Sequence, residues 1–159
     1  GWTRGGSDAG INQITAEVSV SPSHALIVSD ENAQGFGEWF ADLSLAELAM
    51  PGDILQLQWF EIFKITDGEM RLTTLFFSDT DQVLGERHFT ATGNSDGWQG
   101  ALVGSSFSQR NESLVIPDNA VKMRLSLVSG GSEATTGLLA IDDGQDIGGF
   151  ATEISCFIR

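Results

Sequence analysis

The sequence predicts an all-β fold, a sandwich or a barrel built as one domain. Three observations carry this. Apolar residues recur with a period of two rather than 3.6 along most of the chain. Turn signals rich in Gly, Pro, Asn and Asp punctuate it at regular, short intervals. The chain has 159 residues, 41% of them hydrophobic, which suffices for one core without disulfide staples.

The elements follow in order. Residues 13–20 (QITAEVSV) alternate, with Ile14, Ala16, Val18 and Val20 on one face. After the turn Ser21-Pro22-Ser23, residues 24–29 read as a second strand, and Asp30–Gly37 reads as a polar loop. Ser44 and Glu47 have the spacing of a capping box, which predicts one helical turn before Pro51-Gly52-Asp53 stops it. That turn launches the longest strand, Ile54–Thr66. Asp67-Gly68 then predicts a hairpin with Met70–Ser78. Residues 87–92 form a strand and Gly93–Gly97 a loop. Residues 112–116 run into the turn Pro117-Asp118-Asn119. Ala120–Ser129 alternates well, with Val121, Met123, Leu125 and Leu127 on one side and Lys122, Arg124 and Ser126 on the other. Residues 137–142 and 150–158 complete the strands.

Charge removes whole classes of function. Asp and Glu number 22 against 8 Lys and Arg, a net charge of −14. Nucleic acid and anionic membrane surfaces both need clustered positive charge, so neither is a partner of this chain. No apolar run approaches the ~18–20 residues that a membrane span requires. The chain opens at Gly1-Trp2 without Met and reads as a mature fragment or a module of a longer protein. Its single cysteine, Cys156, excludes an internal disulfide and lies in an apolar run, where it reads as a small buried hydrophobe. Catalysis finds no support. His24 and His88 are isolated, no nucleophile elbow accompanies either, and no zinc-ligand spacing occurs.

With no Tyr, 4 Trp and 10 Phe, any aromatic platform is built of Trp or Phe. Sugar rings offer C–H faces that stack on such rings, and their hydroxyls need amide, carboxylate or guanidinium partners. The polar side of the long strand supplies Gln56, Gln58 and Phe60, with Leu55, Leu57 and Trp59 as its core side. Joined to Lys122, Arg124 and Ser126 on one sheet, these residues would make a polar groove; on separate sheets they are ordinary solvated faces. Trp39 and Trp98 lie in Gly-rich, polar surroundings. Each is either a stacking residue or a packing one.

The order of motifs resembles the jelly-roll carbohydrate-binding modules of the family-4, family-9, family-16 and family-22 group. The likeness rests on Gly1-Trp2, the Val18–Val28 segment, the Pro-Gly turn within Leu48–Phe60, Trp98, and the run from Val115 to Asp143. It departs where Ala25 follows His24, in a longer stretch between Trp98 and Pro117 that reads as an insertion at Gly104–Ser113, and in lacking the first strand that carries a metal-binding Glu in many relatives. That strand is expected before Gly1 or absent, with Thr152–Ile158 filling its vacant edge. The resemblance implies a jelly-roll β-sandwich of two antiparallel sheets. It also implies non-catalytic binding of polysaccharide by a module appended to a catalytic or surface domain of a secreted protein, and the net charge of −14 points to a neutral glycan. Ligand contacts then fall to Trp39, Trp98, Phe60, Gln56, Gln58 and Arg124, and a structural Ca²⁺ to Asp142 or Asp143. The rival is a structural or adhesive calcium-stabilised sandwich without a glycan groove.

Overall fold

The computed structural model describes residues 2–6, 13–15, 25–30, 36–45, 50–130, 135–142 and 155–158, with 13–15 and 155–158 described by backbone alone. Among these there is no helix, and eleven strands form two antiparallel sheets. They are β1 (Thr3–Gly6), β2 (Gln13–Thr15), β3 (Ala25–Asp30), β4 (Phe36–Ser44), β5 (Ile54–Asp67), β6 (Met70–Phe77), β7 (Val83–Ala91), β8 (Ser108–Val115), β9 (Lys122–Gly130), β10 (Thr136–Asp142) and β11 (Ser155–Ile158). Sheet one runs β1-β4-β9-β6-β7. Sheet two contains β8, β5, β10, β11, β3 and β2.

The order of sheet two follows from register. Both β8 and β10 pair with Phe60 and Glu61 of β5, so they occupy its opposite edges. Both β8 and β11 pair with residues from Leu55 to Gln58, so these two are opposite as well. Therefore β10 and β11 share one edge of β5, end to end: Asp142 lies opposite Phe60 and Ser155 opposite Gln58. They form one line of pairing interrupted by residues 143–154. The final strand thus continues β10 rather than filling a vacant outer edge.

The period-two pattern sets the core. Leu26, Val28, Leu55, Leu57 and Trp59 enter it from sheet two, and Leu72, Phe76, Met123, Leu125 and Leu127 from sheet one. Trp59 packs on Phe89 across the sandwich, with ring centroids 5.3 Å apart. The Trp59 indole donates to Glu61 Oε2 at 2.8 Å, and Arg110 donates to Glu61 Oε1 at 3.1 Å and Glu112 Oε1 at 3.2 Å. Burial alone would lower the Arg110 pKa, but the charges and hydrogen bonds of Glu61 and Glu112 outweigh it and raise it.

Several expectations are corrected. Asp67-Gly68 is not a hairpin turn: β5 and β6 lie in different sheets, so this turn is a corner between them. Gly68 there takes φ = 70°, and its N–H donates to Asp67 Oδ1. Turn chemistry specifies a reversal of the chain, not the sheet that the next strand joins. Most of the predicted insertion is strand β8. Two strands, β1 and β4, went unpredicted. In β4 the aromatics fall on both faces, Trp39 inward and Phe36 and Phe40 outward, so hydropathy does not alternate. Leu45 is buried just after β4, and the capping-box turn at residues 46–49 lies outside the described residues, as does His24.

A second, smaller cluster covers part of the outer face of sheet two. Ile27, Ile62 and Ala140 point away from the main core yet are buried, with Trp98, Leu102, Phe107 and Leu138 packed against them. The β7–β8 loop makes this possible by folding back on itself. Ser106 N–H donates to Gly97 O, and the Ser95 N–H and hydroxyl both donate to Phe63 O. A Cβ on Gly97 would stand 1.8 Å from Ser106 O, so only glycine permits that approach.

Candidate functional site

The sandwich has two outer faces, and they differ in chemistry. On sheet one, alternate residues of four neighbouring strands point outward: Glu38, Phe40, Asp42 and Ser44 from β4, and Lys122, Arg124, Ser126 and Val128 from β9. Beside them stand Arg71, Thr73, Leu75 and Phe77 from β6, and Glu86, His88 and Thr90 from β7. Register aligns Phe40, Ser126, Thr73 and His88 in one row across the strands. Asp42, Arg124, Leu75 and Glu86 make the next. Three strand spacings of ~4.8 Å give such a row a length of about 14 Å.

The floor of this face is set by small hydroxyls. Ser126 and Thr73 point outward but are only 3% and 6% exposed, because larger neighbours overhang them. Each hydroxyl is held by a titratable partner. Ser126 Oγ donates to Glu38 Oε1. Thr73 Oγ1 is 2.9 Å from His88 Nδ1, and His88 Nε2 is 2.7 Å from Glu86 Oε1. The result is a shallow trough in which two small hydroxyls, each held by a hydrogen bond, lie below larger neighbours.

Beside the trough, Arg124 lies between two aromatic rings. Its guanidinium carbon is 4.4 Å from the centroid of Phe40 and 5.9 Å from that of Phe77. Lys122 Nζ stands 4.8 Å from the Phe77 centroid and pairs with Asp81 at 2.6 Å. Gly5 of β1 lets the Phe40 ring lie against its backbone, since a Cβ there would approach the ring to 3.2 Å. Arg124 also grips Asp42 with two hydrogen bonds. These hold the Asp42 carboxyl below the usual carboxylate range, against partial burial, and raise the Arg124 pKa in turn. Two of the five guanidinium N–H groups go to Asp42. The rest can donate to hydroxyls of a ligand lying across the rings.

The predicted site residues are thereby divided. Arg124 is part of this face. Gln56, Gln58 and Phe60 are not: β5 belongs to sheet two, so their side chains point out of the opposite side of the molecule. Of the two arrangements open to β5 and β9, a shared groove or separate faces, the structure has separate faces, because both strands turn their apolar sides to one shared core. Trp39 is also corrected. It is buried between the sheets, and its indole donates to Ile27 O at 3.1 Å, so it ties β4 to β3 and offers no stacking surface. Trp98 is half-buried on the smaller cluster, with Lys64 Nζ 6.0 Å from its ring centroid. Phe40, Phe77, Asp42, Glu38, Thr73 and His88 escaped the sequence reading. The signal that could have found them is the outward register of β4 beside β9, which needs the pairing to be known.

Asp142 is buried at the end of β10, on the outer side of sheet two beside Phe60. Asp143 lies outside the described residues. Ca²⁺ takes six to eight oxygens. Among the described residues no three His, Cys, Asp or Glu side chains come together to hold a metal, so the calcium expectation rests there on Asp142 alone. A groove of 310 Å³ opens at the side of the sandwich between β7 and β8. Phe76, Leu114, Val115 and Pro117 line its apolar part, and Glu86, Arg87 and Ser113 its polar part.

No family model and no curated protein matches the chain. Solved structures do match in fold. The enzymatically active domain of tailspike protein 4 from bacteriophage CBA120 covers 87% of this chain with a TM-score of 0.59 at 12% identity, and this chain spans 18% of that one. A family 16 carbohydrate-binding module covers 93% of this chain and 86% of its own length, with a TM-score of 0.54 at 8% identity. A family 61 module, in complex with β-1,4-galactotriose, covers 89% and 84%, with a TM-score of 0.51 at 12% identity. Modules of families 4, 11 and 22 are further neighbours. The fold is therefore the antiparallel jelly-roll sandwich that these carbohydrate-binding modules share.

Proposed function

We propose that this chain is a non-catalytic saccharide-binding module, which lays a neutral polysaccharide across the outer face of sheet one. The observation that carries this reading is the trough itself. Ser126 and Thr73 form a polar floor held by hydrogen bonds, the rings of Phe40 and Phe77 flank Arg124, and the polar groups around them are already oriented by one another. Preoriented donors and acceptors beside an aromatic surface suit a polyhydroxylated ring, because little ordering remains for binding to do.

Charge supports a neutral ligand. The chain as a whole carries −14. Yet the strand positions of this face set Glu38, Asp42 and Glu86 against Arg71, Lys122 and Arg124, a local balance. The galactotriose complex of the family 61 neighbour and the xylohexaose complex of a family 22-containing xylanase from Clostridium thermocellum are in keeping with such ligands. In this reading the module is appended to a catalytic or surface domain of a secreted protein and raises its local concentration on the polysaccharide.

The test is calorimetry of the purified chain with β-1,4-galactotriose, xylohexaose and a wider panel of neutral oligosaccharides. Binding should weaken at least about tenfold, ~1.4 kcal/mol, in Phe40→Ala and in Arg124→Ala. Failure to bind any neutral saccharide, or binding indifferent to both substitutions, would overturn the proposal. Unchanged binding combined with turnover of the polysaccharide would replace it with an enzyme.

A further inference from the structure

The outer face of sheet two has a second surface that the trough on sheet one does not explain. Where β5 pairs with β8, the outward positions form four rungs: Ile54 with Val115, Gln56 with Ser113, Gln58 with Asn111, and Phe60 with Gln109. None of these residues is charged, although the chain is strongly acidic. The charged residues of β8, Arg110 and Glu112, point to the other side, toward Glu61 and Trp59.

The rungs are organised rather than merely polar. Ser113 Oγ donates to Gln56 Oε1 at 3.0 Å, and Gln109 Nε2 donates to Asn111 Oδ1 at 3.5 Å. Each amide has both donor and acceptor atoms, so these contacts leave donors and acceptors directed outward along the ladder. Ile54 and Val115 are 43% and 64% exposed at one end. The loop that carries Trp98 and Phe107 covers the sheet beyond the other end and stops the surface near Phe60.

The geometry points to this ladder as a second saccharide-binding surface, for an uncharged polyhydroxylated chain running along β5 and β8. An acidic or basic polymer would find no counter-charge on the rungs. A protein partner would prefer an apolar centre with a polar rim, whereas here the apolar pair sits at one end and amides fill the middle. Hydroxyl pairs match amide pairs, and Phe60 and the Ile54–Val115 pair can meet the C–H faces of the rings. Because the two outer faces point in opposite directions, one molecule would bridge two glycan chains. The inference takes its ligand class from the proposed function and is otherwise independent of it.

The test maps amide chemical shifts of the isotope-labelled full chain with β-1,4-galactotriose, xylohexaose and the wider neutral panel. It is paired with precipitation of a soluble neutral polysaccharide that the panel selects. Two separate groups of signals should move, one around Phe40, Thr73 and Ser126 and one around Gln56–Phe60 and Gln109–Ser113. The double variant Gln58→Ala/Phe60→Ala should lose the second group and raise the concentration needed for precipitation at least about tenfold, while oligosaccharide affinity at sheet one changes less than about twofold. Shifts confined to sheet one overturn the inference and leave the proposed function standing. Shifts confined to the rungs do the reverse. Shifts nowhere overturn both. Movement of the rung signals with protein concentration alone assigns the surface to a second copy of this chain and overturns the inference.

Discussion

Arg124 clasps Asp42 across the β4–β9 pairing, with Nε 2.7 Å from Oδ1 and Nη2 2.8 Å from Oδ2. The two residues are direct neighbours in register, and the fork of the guanidinium matches the carboxylate. The pair fixes Arg124 between Phe40 and Phe77, so it positions the platform more than it stabilises the fold.

The pair predicts a specific pH dependence. Asp42 has a folded pKa below its unfolded value, since the Arg124 hydrogen bonds favour the charged form. Its stabilisation is therefore fully present above about pH 3.9 and is lost as pH falls through the lower, folded value. Both side chains are about one-third exposed, so solvent screening keeps the effect small. Asp42→Asn should cost less than about 1 kcal/mol in urea unfolding at pH 7, and the difference from wild type should shrink toward zero in strong acid. Saccharide affinity should fall more clearly than stability, because Arg124 loses its anchor.

Trp39 and Phe40 are adjacent, yet they should behave oppositely. Trp39→Phe removes the hydrogen bond to Ile27 O, leaves that buried carbonyl short of a partner, and opens space in the core. A loss of about 1–3 kcal/mol of stability is expected, measured by chemical denaturation, with saccharide affinity unchanged in the folded protein. Phe40→Ala should show the converse: near-wild-type stability and weakened binding. Weakened binding in folded Trp39→Phe would return Trp39 to the ligand site.

Gly97 controls whether the β7–β8 loop can close over sheet two. In Gly97→Ala the new methyl collides with the Ser106 carbonyl, and backbone must move. The loop contacts over Ile62 and Ala140 should loosen, at a cost of about 1–3 kcal/mol. Hydrogen exchange should accelerate at Trp98 and Ser106, whose amides bond within the loop, while β9 stays protected. Uniform exchange at wild-type rates would show that the loop does not depend on this approach.

What the sequence determined by itself was the inward and outward side of each strand with clean alternation. Leu55, Leu57 and Trp59, and likewise Met123, Leu125 and Leu127, were identifiable as core because burial follows hydropathy with period two. Where both faces carry large apolar groups, as in β4, that signal vanished and Trp39 could not be separated from Phe40. Strand partnership was decided only in the tertiary structure. Sheet hydrogen bonds are made by backbone groups that every residue has in common, so a strand's own pattern does not name its neighbour. That is why Arg124 meets Phe40 and Asp42 rather than Gln56 and Phe60, and why only the pairing could decide between one shared groove and two opposite faces.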